Sequence, residues 1–290
     1  MNANCTETLV SVYITTHNRG VKLKRAIDSV LNQTYQNIEI IVSDDGSSDG
    51  TKELMEQLVK QYSNLRFIRS DVPKGANHAR NLAIKRAKGE FITGLDDDDE
   101  FLECRVQRFV ESWDDHYAFL CDNFLEISED GSCSQFYKSD QPKVITLKQL
   151  LLENICSNQI FTKLEYLRSI GGFDESLKKY QDWDCWIRLS NKMGNGLRLS
   201  NKSYIMYHDQ LVRVSNNQSH QIALMALMKS NKSVYLDTFS ASFVDYLFKK
   251  SDFRFDTIGM LSCRNFHELK FALRKSCILS WIKRKIKGLV

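Results

Sequence analysis

At 290 residues, 42% apolar and 26% charged with a net charge of +4, the chain can build one large domain or two small ones, each with its own core. Its 16 Phe, 11 Tyr and 4 Trp exclude a disordered chain, and 13 Gly with 2 Pro exclude a fibrous or linker-rich one. No run of about 18 uncharged apolar residues is present, and Met-Asn-Ala-Asn-Cys-Thr-Glu at the start lacks the regions of a secretory signal, so the expectation is a chain neither membrane-spanning nor exported.

The first 100 residues alternate β-branched runs with helix-period stretches, the signature of βαβ units and a largely parallel sheet. Leu9–Ile14 reads as the first strand, and Leu23, Ala26, Ile27, Val30 and Leu31 recur at helical spacing behind it. Ile38–Val42 is the second strand and runs into Ser43–Gly50, a cluster of turn and N-cap formers, before Leu54, Leu58 and Tyr62 resume the helical period. Leu65–Ile68 is a third strand, Ala76–Lys88 a third helix stopped by Gly89, and Phe91–Leu95 a fourth strand that ends in Asp96-Asp97-Asp98-Asp99. Further on, Phe119–Ile127 alternates like a strand, Glu129-Asp130-Gly131 is a turn, and Thr146–Leu152 starts another helix. The expected division is 1–110 and 111–215 as the two halves of one domain, followed by a helical, basic extension over 216–290.

In open α/β sheets ligands bind beyond the carboxyl ends of the strands, where this chain carries Thr15-Thr16-His17-Asn18, Asp44-Asp45 and the four-Asp run. Four adjacent carboxylates at the end of a buried strand repel one another and call for a counter-charge. A divalent cation is the economical one, and hard oxygen ligands select Mg²⁺ or Mn²⁺ with substrate phosphates completing the shell. The alternative is a solvated acidic turn. Asp44 and Asp45 have their own bland reading, an ordinary turn with a helix cap.

The ordered motifs resemble family 2 of the inverting nucleotide-sugar glycosyltransferases with the GT-A fold. Val10–Arg19 is similar to that family's opening strand and nucleotide loop, and Ile40–Thr51 to its second-strand signature. Gly75–Asn81 is similar to its helix start, Leu95–Asp99 to its D-x-D metal motif, and Gly171–Glu175 with Asp182-Trp183-Asp184 to its acceptor-side signature. The resemblance covers roughly residues 8 to 215. It implies an α/β fold with a Rossmann-like, mostly parallel central sheet, 1–110 being the nucleotide-sugar half and 111–215 the acceptor half. It assigns Thr15 and Asn18 to the nucleotide loop, Asp45 to the N3–H of uracil, Arg80 to the diphosphate and Asp97 to the ribose. Asp98, helped by Asp96, would hold the Mn²⁺ or Mg²⁺, with Asp99 behind them and His208 reaching the cation or the diphosphate. His208 has the competing reading of a hydrogen-bonded core residue.

The implied reaction displaces a nucleoside diphosphate from the anomeric carbon. An acceptor hydroxyl needs its proton removed by a positioned carboxylate, worth roughly 10²–10⁴-fold in rate. Asp182 is the candidate, because this chain has Gln181-Asp182 where many relatives have Glu-Asp; Asp184 is the substitute. Near a helix N-terminus the dipole is expected to keep Asp182 ionised and lower its basicity. A purely structural Asp182, capping the helix, is the alternative. Trp183 and Asp184 are the expected acceptor-binding residues, with Trp186 more suited to core packing.

The eight Cys show no C-x-x-C pair, so zinc and redox motifs are unsupported and reduced, packed thiols are expected. Residues 270–290 hold seven Lys or Arg and no acid, leaving the preceding 269 net acidic. Ile278, Leu279, Ile282, Ile286 and Leu289 fall at helical spacing among those bases, which describes a basic amphipathic helix for an anionic membrane surface or for docking on the protein. The expected protein is therefore cytoplasmic, peripheral on the inner face of the membrane, with a nucleotide-sugar donor and a carbohydrate or lipid-linked acceptor of surface-polysaccharide assembly. No nucleic-acid partner is expected, and a homo-oligomer is left open. Two rivals remain: a sugar nucleotidyltransferase, disfavoured by the single Gly in Thr15–Gly20, and a non-catalytic scaffold, disfavoured by the intact Asp45, Asp98 and Asp182.

Overall fold

A computed structural model describes residues 8–156, 158–208, 220–250, 262–265 and 268–269. The chain divides into two compact units, Met1–Ser176 with Gln181–Val212, and Leu177–Tyr180 with Arg213–Val290. The first unit opens with β1 (Val10–Thr16), α1 (Gly20–Leu31), β2 (Ile38–Asp44), α2 (Thr51–Gln61), β3 (Leu65–Arg69), α3 (Ala76–Arg86) and β4 (Phe91–Asp96). It continues through β5 (Glu100–Phe101), α4 (Arg105–Glu111), β6 (Phe119–Ser128), β7 (Cys133–Gln135), β8 (Lys143–Ile145), α5 (Leu147–Leu150), β9 (Phe161–Lys163) and α6 (Leu164–Ser169). It closes with α7 (Gln181–Met193) and the long β10 (Gly196–His208).

All these strands join one sheet of order β3-β2-β1-β4-β9-β6-β10-β5, with β7 on β6 and β8 on β10. The β3-β2-β1-β4 half is parallel, and β1, β2 and β4 are buried along most of their length, with Ser11, Glu39 and Thr93 buried among their apolar residues. Beyond β4 the direction changes: β9 is antiparallel to β4 and to β6, while β6 and β10 run parallel. The α/β architecture stands as expected. Two helix boundaries differ from the sequence reading. The third helix ends at Arg86 because Ala87 is extended, and the Lys88 and Gly89 amides turn instead to the buried Glu39 carboxylate. The helix expected over Thr146–Leu152 is one turn, Leu147–Leu150, closed by a capping box between Thr146 and Gln149.

Alternation along the strands sorts the core. Val10, Val12 and Ile14 of β1 and Ile38, Ile40 and Val42 of β2 share one cluster with Leu23, Ile27 and Val30 of α1, Met55 and Leu58 of α2, and Val106 and Phe109 of α4. Phe161 of β9 stacks on Phe91 at 4.8 Å and on Phe109 at 5.3 Å, with the Trp113 ring 5.9 Å away. The second unit holds α8 (His220–Ser230), α9 (Lys232–Thr238) and α10 (Ala241–Lys250), around buried Leu224, Tyr235, Phe243 and Leu247. Its fully buried Glu268 accepts the Ser240 N–H at 2.8 Å and the Arg264 N–H at 2.6 Å. The helical reading of the segment after 216 agrees with α8 to α10, whereas the basic stretch 270–290 lies outside the described residues.

Phe161→Ala leaves a cavity beneath three aromatic rings and is expected to destabilise the protein by about 3–5 kcal/mol. Urea unfolding followed by Trp fluorescence checks it, since Trp113 is a neighbour of the deleted ring.

Candidate active site

The parallel strands deliver their polar ends to one edge. Register sets Thr15 of β1 beside Asp96 of β4, and Thr16 beside Asp44 of β2. Past β1 the chain turns through Asn18 at φ +56°, a conformation that Asn tolerates better than most residues. The Asn18 N–H donates to Ser47 Oγ at 2.8 Å and its Oδ1 accepts the Ser48 N–H at 2.7 Å, so the loop after β1 is stitched to the loop after β2. Asp44 is fully buried, accepts the Ser47 N–H at 2.9 Å and pairs with Arg69 at 2.5 Å; it holds the turn, as the bland reading has it. Asp45, also buried, accepts the amides of Lys74 and Gly75, one on each oxygen, at 2.7 Å. Each oxygen keeps a second lone-pair direction.

The four aspartates take different partners. Asp96 Oδ1 accepts from Gln159 at 2.9 Å and Oδ2 from Asn158 at 2.8 Å, with Arg80 Nη2 3.6 Å away. Gln159 is itself held by the Tyr13 hydroxyl at 3.0 Å. Gly94 permits this contact, because a Cβ there would overlap Gln159 Oε1 and the Tyr13 ring. Asp97 and Asp98 share Arg19 Nη1, at 2.9 and 3.1 Å. Asp99 accepts the Tyr204 hydroxyl at 2.7 Å and the Tyr207 N–H at 3.0 Å. Burial pushes the Asp97 carboxyl up to about 6 despite Arg19, and raises Asp99 well above the usual range, with Asp96 and Asp98 adding to it. Asp98, less enclosed, is raised by desolvation and by Asp96.

Arg80 lies on the Phe173 ring at 5.2 Å and donates to Asn77 Oδ1 at 3.1 Å, and from there faces Asp96. The Gly171–Glu175 loop is strapped to α3: Asn81 receives the Phe173 N–H at 2.8 Å and returns a bond to the Phe173 carbonyl at 2.9 Å. Asp182, half-buried near the start of α7, accepts from Asn154 at 3.2 Å. Here the expected direction of basicity is overturned. Desolvation raises the Asp182 pKa above the ordinary value, outweighing the Trp183 N–H and Arg80, which favour the charged form; Asp96 raises it further.

Two acceptor-side expectations are also corrected. Trp183 is buried, its indole N–H donating to the Leu150 carbonyl at 2.5 Å, so its ring packs between α7 and α5 instead of facing a sugar. Asp184 is fully buried in an ion pair with Arg188 at 2.7 Å, and Arg188 also binds the carbonyls of Ile170 and Gly172 at 2.8 Å. That pair fixes the glycine loop and takes Asp184 out of consideration as a base. His208 Nε2 meets Glu126 Oε1 at 2.7 Å at the end of β10, two strands whose register places His208 opposite Ser128. Sequence reasoning gave no role to Arg19, Tyr204, Asn154, Asn158 or Gln159. Arg19 borders the nucleotide-loop motif and carried a signal; the others are single polar residues outside any motif.

Among the described residues no three His, Cys, Asp or Glu side chains are grouped to hold a metal ion. One or two carboxylates with phosphates supplying other ligands is nonetheless the usual way Mg²⁺ is held. Asp98, with 20% of its side chain exposed beside Asp96, fits that donor set.

The architecture, with its polar cluster at the carboxyl ends of the parallel strands, is that of the GT-A fold. The chain belongs to glycosyl transferase family 2, whose family model matches residues 11–162. It is 34% identical over 208 residues to the putative colanic acid biosynthesis glycosyl transferase WcaA of Escherichia coli K12, covering 69% of this chain and 72% of WcaA. It is 39% identical over 127 residues to the GalNAc(5)-diNAcBac-PP-undecaprenol beta-1,3-glucosyltransferase of Campylobacter jejuni, covering 43% of this chain and only 41% of that protein. The fold is similar to S. aureus TarS 1-349 in complex with UDP-GlcNAc, with TM-score 0.69 at 19% identity over 92% of this chain and 79% of TarS 1-349. It is also similar to the mannosyltransferase PcManGT from Pyrobaculum calidifontis in complex with GDP-Man and Mn²⁺, with TM-score 0.56 at 16% identity over 92% of this chain and 74% of that one.

The raised Asp97 pKa has a sign. Its folded value of about 6 exceeds the ordinary aspartate value of about 3.9, so the stability it contributes is complete below about pH 4 and is lost as pH rises through 6. Asp97→Asn is therefore expected to gain stability relative to the parent as pH goes from 4 to 7, by about 2–3 kcal/mol at pH 7. Urea titrations in EDTA at the two pH values measure the difference.

Proposed function

We propose that this chain transfers one sugar from a UDP-sugar to a carbohydrate acceptor with inversion at the anomeric carbon, using Mg²⁺ or Mn²⁺. The observation that carries the reading is the placement of Asp182. Its carboxyl, made more basic by burial, lies in the field of Arg80 and Asp96, the residues of the diphosphate side.

In this reading Thr15 and Asn18 shape the nucleotide loop, and Asp45, held rigid by two backbone amides, accepts the uracil N3–H on a remaining lone pair. Asp97 lies toward the ribose. Asp98, assisted by Asp96, would hold the cation, whose charge would offset the negative charge growing on the departing diphosphate. His208, whose Nε2 meets Glu126, would lie toward the cation or the diphosphate. Arg80, supported by Asn77 and Phe173, presents its positive charge to the same phosphates. Across the pocket Asp182 takes the proton from the acceptor hydroxyl, oriented by Asn154. The hydroxyl oxygen attacks the face opposite the leaving group, which inverts the centre.

The lipid-linked substrate named for the Campylobacter relative and the colanic acid role named for WcaA support an acceptor of surface-glycan assembly, carried on a lipid at the cytoplasmic face. No helix of the described residues is long and apolar enough to cross a membrane. Attachment through the basic stretch 270–290 and self-association belong to the same proposal, and the division into a donor half, an acceptor half and a basic extension is kept as its working map.

The full chain, incubated with a panel of UDP-sugars and Mn²⁺, is expected to release UDP slowly, faster with acceptor, and to stop in EDTA. Pyrophosphate formation from UTP and a sugar phosphate overturns the reading in favour of a nucleotidyltransferase. Asp182→Asn should lower transfer by about 10²–10⁴-fold.

A pH profile follows from the same carboxyl. Asp182 acts when ionised, so kcat/KM falls as pH drops through its raised pKa. Asn154→Ala removes a bond that favours the charged form and should move that acid limb to higher pH.

A further inference from the structure

We propose that Arg19 is the resident counter-ion of the aspartate run, and that a divalent cation reaches Asp98 in the nucleotide-free protein only when Arg19 lets go of it. The inference rests on the cation reading of the preceding section and adds to it a competitor built into the chain.

A single guanidinium nitrogen, Arg19 Nη1, stands 2.9 Å from Asp97 Oδ1 and 3.1 Å from Asp98 Oδ2, bridging two neighbouring carboxylates as a bound cation bridges its ligands. The two anchors are unequal. Asp97 has 5% of its side chain exposed and Asp98 20%, so the Asp98 contact is the one open to a solvated ion. The backbone on both sides is fixed independently of this bond. Arg19 caps α1, its carbonyl accepting the Leu23 N–H at 2.9 Å. The Asp98 carbonyl is held by Arg25, whose Nε pairs with Glu100 at 3.1 Å and whose guanidinium lies 3.8 Å from the Tyr207 ring centroid. The Asp98 side chain can therefore exchange partners without displacing the main chain. A guanidinium and a divalent cation on one carboxylate repel each other, and the half-exposed Arg19 is the one with somewhere to go. A bound diphosphate supplies the negative charge that lets both cations stay.

The test is Mn²⁺ binding to the full chain without nucleotide at pH 7.5, read from the EPR signal of free Mn²⁺, for the parent, Arg19→Gln, Arg19→Met and Arg19→Lys. Arg19→Gln and Arg19→Met are expected to bind Mn²⁺ about tenfold more tightly than the parent, the order expected when one charge-assisted bond no longer has to be surrendered. Arg19→Lys should stay near the parent. In EDTA the two neutral variants should melt below the parent and recover more on adding Mn²⁺. Affinity equal to or weaker than the parent's, in variants with a native circular dichroism spectrum, overturns the inference. Repeating the titration with saturating UDP separates the two readings. If parent and variants all bind Mn²⁺ with UDP but do not differ without it, Arg19 alone loses its role; if the parent binds no Mn²⁺ even with UDP, the cation reading falls and this one with it.

Discussion

Mutual repulsion among four consecutive carboxylates, at the point where a buried strand meets solvent, is the constraint around which the rest of this site is arranged. Each aspartate is answered differently. Asp96 is clasped by two neutral amides, Asp97 and Asp98 share one guanidinium nitrogen, and Asp99 is capped by a phenol and a backbone amide. Beneath them Arg105, fully buried, faces the rings of Phe101, Phe109 and Tyr204 and donates to Ser203, placing a positive charge under the phenol that serves Asp99. These partners come from the loop after β1, α4, β10 and the stretch before β9. The run thus dictates positions on four separate parts of the chain.

The first 110 residues were legible because local rules and tertiary demands agree there. Parallel strands covered on both faces leave apolar-rich, β-branched runs, and Ser43–Gly50 and Gly75 punctuate them where the chain must turn. The later half was less legible for the opposite reason. β9 is three residues long, β10 is broken by register shifts, and the segment between β8 and β9 takes its shape from side chains that meet only in the folded state. Asn154, Asn158 and Gln159 have no periodicity to reveal them. Trp183 and Asp184 misled because a signature fixes which residues are present and not which way they point; α7 is buried from Trp183 through Ile187, and these two turn inward with it.

The basicity of Asp182 shows two effects of similar kind opposing one another. A helix N-terminus favours an anion through oriented amides, and the amide of Trp183 does so here. Removal of water disfavours the same anion and prevails, with Asp96 acting in the same sense. Partial removal from water thus sets the direction of the Asp182 shift, while Asn154 and Arg80 favour its charged form.

Asn154 and the pair Asn158–Gln159 lie only a few residues apart, yet one end of that short stretch grips Asp182 and the other grips Asp96. The two carboxylates that the proposed reaction sets on opposite sides of the pocket thus take partners from neighbouring positions in the sequence, beside the point where the Tyr137 hydroxyl donates to the Cys156 carbonyl. A substitution between Asn154 and Gln159 therefore reaches both Asp182 and Asp96, and under the proposed reaction a change made for the acceptor is felt by the donor as well.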